Sequence, residues 1–294
     1  MDTKELSVVI PAYNEKNAII PTIEAVLATL STAGIAAEVV VVDDGSKDGT
    51  GELIAAYLAE RGAMDARLVR HERNRGYGAS LKDGIRAAAA PVIAITDADG
   101  TYPNERIPEM YRLYVQDQLD MVVGARPFKK LPTITKPAKW AITRLAEYLT
   151  GERIKDLNSG LRIFKKEIAM QYFNIISDGF SFTTTITLSM MTNGFRVRYF
   201  DIDYLKREGK SKIKPIKDTL NFIQLIIRTV LYFDPLKVFV PLSMSLFLLG
   251  LAIFLAGLPF GKMYDTTFVV LFVGAVQTLS IGMIADVVEK RTRR

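Results

Sequence analysis

Two uncharged apolar stretches near the C-terminus, residues 238–257 and 266–285, constrain this chain more than any other feature. Each has the length of roughly 20 residues that a helix needs to cross about 30 Å of hydrocarbon. The connection between them, 258–265, leaves room only for a tight reversal, so the pair predicts a membrane hairpin whose ends emerge on one side. Arg228, Lys237, Lys290, Arg291, Arg293 and Arg294 lie outside its two ends, whereas the connection carries only Lys262 against Asp265. Positive charge stays on the cytoplasmic side, so the large N-terminal part and the C-terminus are both expected there. A buried helical pair in a soluble core is the competing reading, and the long uncharged runs with their basic tail weigh against it.

The remaining length of this 294-residue chain suits one globular domain of roughly 200 residues. Cysteine is absent, which excludes disulfides, thiolate catalysis and cysteine-ligated metals, and the single histidine, His71, makes a histidine metal site a poor fit. Any metal is therefore expected on oxygen ligands. The net charge of +6 gathers near the apolar tail, with no zinc pattern or basic-aromatic repeat. Anionic membrane lipid is thus the expected partner, and nucleic acid is not. The short polar start before Leu6 does not resemble a cleavable leader.

From Leu6 to Gly124, short apolar runs alternate with helical patterns, the signature of an α/β domain around a mostly parallel sheet. Strands are expected at 6–10, 38–42, 67–70, 92–96 and 121–123, and helices near 18–33, 49–61, 77–89 and 105–116. Ligands of such sheets bind beyond the carboxyl ends of the strands. The polar motifs fall there: Pro11-Ala12-Tyr13-Asn14-Glu15, Asp43-Asp44-Gly45-Ser46 and Asp97-Ala98-Asp99-Gly100. Two amphipathic helices, 137–150 and 215–233, are expected either at a lipid interface or, as ordinary core helices, against the domain.

Asp97-Ala98-Asp99 is the strongest local signal. Two carboxylates alternating by one residue in a strand-end loop suit a shared Mg²⁺ or Mn²⁺, which in turn suits a nucleotide diphosphate departing from a sugar. Asp43 and Asp44 stand where an acidic group serves a base or ribose, and Asp48 reads as a helix cap. Asn74-Arg75-Gly76-Tyr77-Gly78-Ala79-Ser80 lets backbone approach a ligand or a neighbouring element, but it fails as a dinucleotide fingerprint because Leu81 occupies a small-residue position.

These three strand-end motifs and Asn74-Arg75-Gly76-Tyr77-Gly78 together resemble glycosyltransferase family 2. Asn158-Ser159-Gly160-Leu161-Arg162-Ile163-Phe164 and Arg207-Glu208-Gly209-Lys210-Ser211-Lys212 resemble, more narrowly, its polyisoprenyl-phosphate glycosyltransferases, the dolichol-phosphate mannose and glucose synthases. Two C-terminal membrane helices suit bacterial and archaeal members, and hence a prokaryotic plasma membrane. The resemblance implies a GT-A fold, a nucleotide-sugar donor, a divalent cation and inverting transfer to a polyprenyl or dolichyl phosphate.

By the same resemblance, Pro11, Ala12, Tyr13, Glu15, Asp43, Asp44 and Gly76 would line the donor, Asp97 and Ala98 would face it, and Asp99 would ligate metal beside Asp97. Some mannosyl relatives have glutamine where this chain has Thr101, so no third protein ligand is expected there, and Asp99-Gly100-Thr101 favours UDP-glucose over GDP-mannose. Arg126, Arg144 and Ser159 are candidates for the acceptor phosphate, Arg207 and Lys212 for the donor diphosphate, and Asp156 for orienting acceptor or sugar. The expected organisation is a catalytic domain at 1–213, an interface helix at 214–235, transmembrane helices within 236–288 and a basic tail at 289–294, with assembly into homo-oligomers open. A glycosyltransferase for another glycolipid or polysaccharide and a non-catalytic nucleotide-sugar-binding subunit remain as alternatives. Against the first, there is no Gln-x-x-Arg-Trp motif, and the lone Trp140 lies on an expected interface helix.

Overall fold

The computed structural model describes residues 4–61, 65–127, 136–176, 178–179, 181–203, 224, 226–229, 231–258 and 265–292, with backbone alone at 136–142 and 292. The expected interface helix 215–233, Arg207 and Lys212 lie wholly or mostly outside them.

Apolar runs and helical patterns alternate as expected in the first half: β1 Leu6–Ala12, α1 Ile19–Thr32, β2 Ala37–Asp43, α2 Thr50–Arg61, β3 Ala66–Arg70, α3 Tyr77–Ala87 and β4 Val92–Ile95. A short 3₁₀ turn, Asn104–Arg106, then leads into α4 Ile107–Gln116 and β5 Met121–Ala125. The second half adds α5 Lys136–Thr150, β6 Arg162–Lys165, α6 Lys166–Gln171, α7 Phe182–Thr192 and β7 Val197–Asp201. The strands form one seven-stranded sheet in the order β3-β2-β1-β4-β6-β5-β7. All pairs are parallel except those of β6, which runs antiparallel to both β4 and β5.

β1 and β2 are apolar along nearly their whole length because the sheet is covered on both faces. Val8 and Ile10 point into a core with α1 and α4, whereas Val9 points into one with α3 and α7. Gly84 lets α3 lie hard against the sheet, since a Cβ there would stand 2.4 Å from Val9 Cγ1. A third cluster, against β7 residues Val197 and Tyr199, joins Ala146 and Leu149 of α5 to Leu188 and Met191 of α7 and to Ile226.

The chain ends in α8 Leu236–Gly257 and α9 Asp265–Thr292. They pack antiparallel: Phe254 meets Phe268, Phe247 meets Phe272, Ser243 Oγ donates to Ala275 O at 2.8 Å, and Gly282 lies against Phe239. Small residues at the crossing allow this close approach. Both helices are long and apolar enough to cross a membrane, and few of their residues are buried by protein. The start of the expected basic tail is not separate, because α9 continues through it. Lys290 pairs with Asp286 one turn earlier at 2.8 Å, and cations suit a helix C-terminus.

Candidate active site

Parallel pairing of β1 with β2 and β4 brings their carboxyl ends to one edge of the sheet. Pro11 and Ala12, expected in a loop, complete strand β1, with Ala12 in register with Asp43. The loops beyond are stitched together. Asn14, in the left-handed region at φ 57°, donates its N–H to Ser46 Oγ (2.9 Å), and Lys47 N–H donates to Asn14 Oδ1 (2.8 Å). Glu15 N–H donates to Thr50 Oγ1 at 3.1 Å, and Tyr13 stays partly exposed on the rim. Asp48 caps the start of α2, accepting from Thr50 N–H at 3.0 Å.

Asp43 lies almost fully buried beside a cleft of about 300 Å³ lined by Gly45, Ser46, Arg70, His71 and Glu72. Its Oδ1 accepts from Ser46 N–H (3.1 Å), and its Oδ2 stands 3.6 Å from Arg70 Nε. Asp44 differs from the expectation of a donor ligand. It is buried and turned inward, accepting from Arg75 N–H (2.8 Å) and Gly76 N–H (2.9 Å) and meeting His71 Nδ1 at 2.7 Å. Asp44 thus builds the wall of the site by holding the loop that opens α3. Gly76 serves in that wall: it sits at φ 102°, and a Cβ there would stand 2.6 Å from Asp178 O.

Asp97 and Asp99 follow β4, both half-buried, with the small buried Ala98 between them. Tyr77 Oη donates to Asp97 Oδ1 at 3.0 Å. Gly160 packs on the same carboxylate, where a Cβ would stand 2.8 Å from Oδ1. Gly160 N–H in turn donates to the buried Tyr102 Oη at 2.6 Å. Burial first, then the Asp97 charge, pushes both the Tyr77 and the Tyr102 phenol above the ordinary value, which keeps them protonated. Asp99 Oδ1 accepts from Thr101 Oγ1 (2.7 Å) and Thr101 N–H (3.2 Å), so Thr101 orients Asp99.

Two carboxylates fit Mg²⁺ or Mn²⁺, which take hard oxygen ligands and complete their shell with phosphate oxygens and water. Among the described residues, no group of three or more histidine, cysteine, aspartate or glutamate side chains is placed to hold a metal ion by itself.

Arg126, after β5, grips Asp156 with two prongs, Nε to Oδ2 at 2.7 Å and Nη2 to Oδ1 at 3.0 Å. The Asp156 side chain is fully buried and holds the Arg126 guanidinium. Ser159 is also buried, and its carbonyl accepts from Arg162 Nε and Nη2. That leaves the phosphate role expected of its hydroxyl without an exposed group. Arg144 lies on α5, largely exposed and paired with Glu147 at 3.1 Å.

Several supporting residues escaped sequence reasoning. Arg162 has no solvent exposure and spends its donors on Ser159 O, Thr183 O and Thr187 Oγ1, which fixes the turn that backs Asp97. Burial pulls its pKa below the ordinary value. Tyr77, Tyr102 and Arg70 become recognisable only once the strand ends converge, although the first stands inside a motif already singled out.

A family model for glycosyl transferase family 2 matches residues 7–180. The chain belongs to that family. A second model, the GtrB C-terminal hairpin, matches residues 234–290 of this family 2 member. Over 214 residues the chain is 31% identical to a dolichyl-phosphate hexose transferase of Haloferax volcanii, covering 72% of this chain and 87% of that protein. Over 301 residues it is 28% identical to an undecaprenyl-phosphate 4-deoxy-4-formamido-L-arabinose transferase of Pectobacterium carotovorum, covering 97% and 88%. A crystal structure of Mycobacterium tuberculosis glucosyl-3-phosphoglycerate synthase with Mg²⁺ and UDP aligns with a TM-score of 0.58 at 15% identity. That alignment spans 77% of this chain and 79% of the other, and the likeness is one of fold, the GT-A fold of family 2.

Proposed function

We propose that this chain is a membrane-anchored inverting hexosyltransferase, moving a sugar from a nucleotide diphosphate onto a polyprenyl or dolichyl phosphate at the cytoplasmic face. The observation that carries the reading is Asp97 and Asp99 at the end of β4, in a family 2 domain joined to an apolar hairpin. The relatives named above act on dolichyl and undecaprenyl phosphates, and the hairpin would hold this domain at the surface where such lipids reside. Lys237 and Lys290 stand at the same end of the antiparallel pair, the end expected on the cytoplasmic side.

The acceptor phosphate monoester, with a second pKa near ~6, is already largely dianionic at neutral pH, so no side chain needs to deprotonate it. One of its oxygens attacks the anomeric carbon from the face opposite the leaving group. The bond from that carbon to the diphosphate oxygen breaks, and the nucleoside diphosphate departs. Mg²⁺ or Mn²⁺ would be held by Asp99 with Asp97, and when bound it would neutralise charge on the departing diphosphate.

Arg126, held by Asp156, and Arg144 on α5 would place the acceptor phosphate. Arg207 and Lys212 would hold the donor diphosphate. At the cleft, the Asp43 carboxylate beside the Arg70 guanidinium offers an acceptor next to a donor. That pair complements the adjacent N–H and carbonyl of uracil and equally those of guanine, so the preference for UDP-glucose rests on Asp99-Gly100-Thr101.

The test is Asp99→Ala in the full chain. Metal-dependent transfer to polyprenyl phosphate should be lost while membrane insertion persists, and an unchanged rate would refute the metal assignment.

A further inference from the structure

The sole histidine of the chain sits in a buried cluster that the reaction as derived does not use. The His71 side chain is 4% exposed, and its two ring nitrogens face two carboxylates. Nδ1 stands 2.7 Å from Asp44 Oδ1, at the end of β2, and Nε2 stands 3.1 Å from Asp83 Oδ2, on α3. Neither carboxylate is a spare partner. Asp44 also holds Arg75 N–H and Gly76 N–H, and Asp83 also accepts from Arg75 Nη1 (2.6 Å) and Arg86 Nη1 (2.7 Å). Arg75 Nη1 stands 3.5 Å from Nε2, so the cluster holds two carboxylates, two guanidiniums and one imidazole. On the Asp83 side, burial opposes ionisation, but the hydrogen bond from Arg86 and the charges of Arg75 and Arg86 outweigh it and keep the carboxyl below its ordinary range.

The cluster lies one residue from the donor machinery. Asp44 clamps the N–H groups of Arg75 and Gly76, and the next residue, Tyr77, donates to Asp97. Asp83 lies on the helix that Tyr77 begins. His71 therefore spans the two anchors, one strand end and one helix, between which the Tyr77 hydroxyl is aimed.

We propose that His71 is a positioning residue of the transfer reaction: bonded to Asp44 and Asp83 at once, it fixes the loop from Arg75 to Tyr77 and through Tyr77 sets the Asp97 carboxylate. This rests on the proposed reaction for its rate effects, but not for its geometry. The two ring nitrogens tie these anchors together, Nδ1 facing Asp44 and Nε2 facing Asp83.

Two experiments on the full chain test this. With the ring nitrogens of histidine isotopically labelled, the single residue gives one pair of nitrogen resonances in a detergent or nanodisc sample at neutral pH. Both nitrogens should report hydrogen bonds, and a ring nitrogen that reports none would overturn the proposal. This measurement needs no activity, so its failure is distinguishable from failure of the functional reading, and it decides the matter even if substituted chains do not fold.

The second is a double-mutant cycle on kcat. His71→Gln retains a donor for only one carboxylate, and both it and Tyr77→Phe should lower kcat by about tenfold. The double variant should be no slower than the slower single variant, because both act through the same contact. Multiplying effects, about a hundredfold together, would mean that His71 does not act through Tyr77 and would overturn the proposal.

Discussion

Arg126 and Asp156 are joined edge to edge, Nε to Oδ2 at 2.7 Å and Nη2 to Oδ1 at 3.0 Å, with the aspartate side chain wholly buried and the arginine 19% exposed. This geometry separates two roles that look alike in sequence. The aspartate fixes the guanidinium plane, and the arginine is the member of the pair that keeps some exposure. Asp156→Asn keeps the shape but loses the charge-assisted bonds. It should lower kcat with acceptor by one to two decades, about 1.5–3 kcal/mol, while nucleotide affinity stays unchanged. Calorimetric binding of the nucleotide beside acceptor kinetics checks this.

Gly160 allows the turn after Leu157 to press against Asp97. Gly160→Ala puts a methyl group 2.8 Å from Asp97 Oδ1, and backbone anchored by Tyr102 and Arg162 has little room to retreat. The carboxylate should swing away, lowering transfer by at least about tenfold with a loss of fold stability of only about 1–3 kcal/mol. Activity measured beside thermal unfolding separates the two effects.

Glu38 contributes to the acid limit of the fold. Burial alone would raise its pKa, but Ser7 Oγ (2.6 Å), Ala89 N–H and Arg67 Nη2 (2.5 Å) donate to the carboxylate, and together they hold it below the ordinary value. Its contribution to stability is therefore complete above the unfolded-state value of about 4.3 and is lost as pH falls through the lower folded-state value. Glu38→Gln should flatten this acid limb, as read from denaturant midpoints across a pH series.

The hairpin crossing is set by Gly282, where a Cβ would stand 2.5 Å from Phe239 Cβ. Because the chain has no cysteine, Ser243→Cys with Ala275→Cys reports directly on the packing of α8 against α9. That pair should cross-link readily in membranes, and adding Gly282→Leu should largely abolish the link.

The first half of the fold was legible because its strands are continuous apolar runs and their polar motifs fall at strand ends. Strand β6 was hidden by its own first residue. Charged side chains are seldom fully buried, yet carbonyl and threonine oxygens satisfy Arg162 in the core. Helix α7 was hidden for the opposite reason: its threonine-rich run, Phe182–Thr192, looks strand-forming by local propensity and becomes helical through burial on nearly every side. The position of Asp97 and Asp99 beyond β4 was legible from the apolar run before them, whereas the inward turn of Asp44 was not. Adjacent aspartates look equivalent until the loop from Arg75 to Gly76 folds over one of them.

The most direct measurement is a donor screen with the full chain, Mg²⁺ or Mn²⁺ and a short polyprenyl phosphate, following radiolabelled sugar into the organic phase. Label should come from a single nucleotide sugar, UDP-glucose, and should be lost on adding EDTA. Nucleotide binding without transfer from any donor to polyprenyl phosphate would contradict the proposed function.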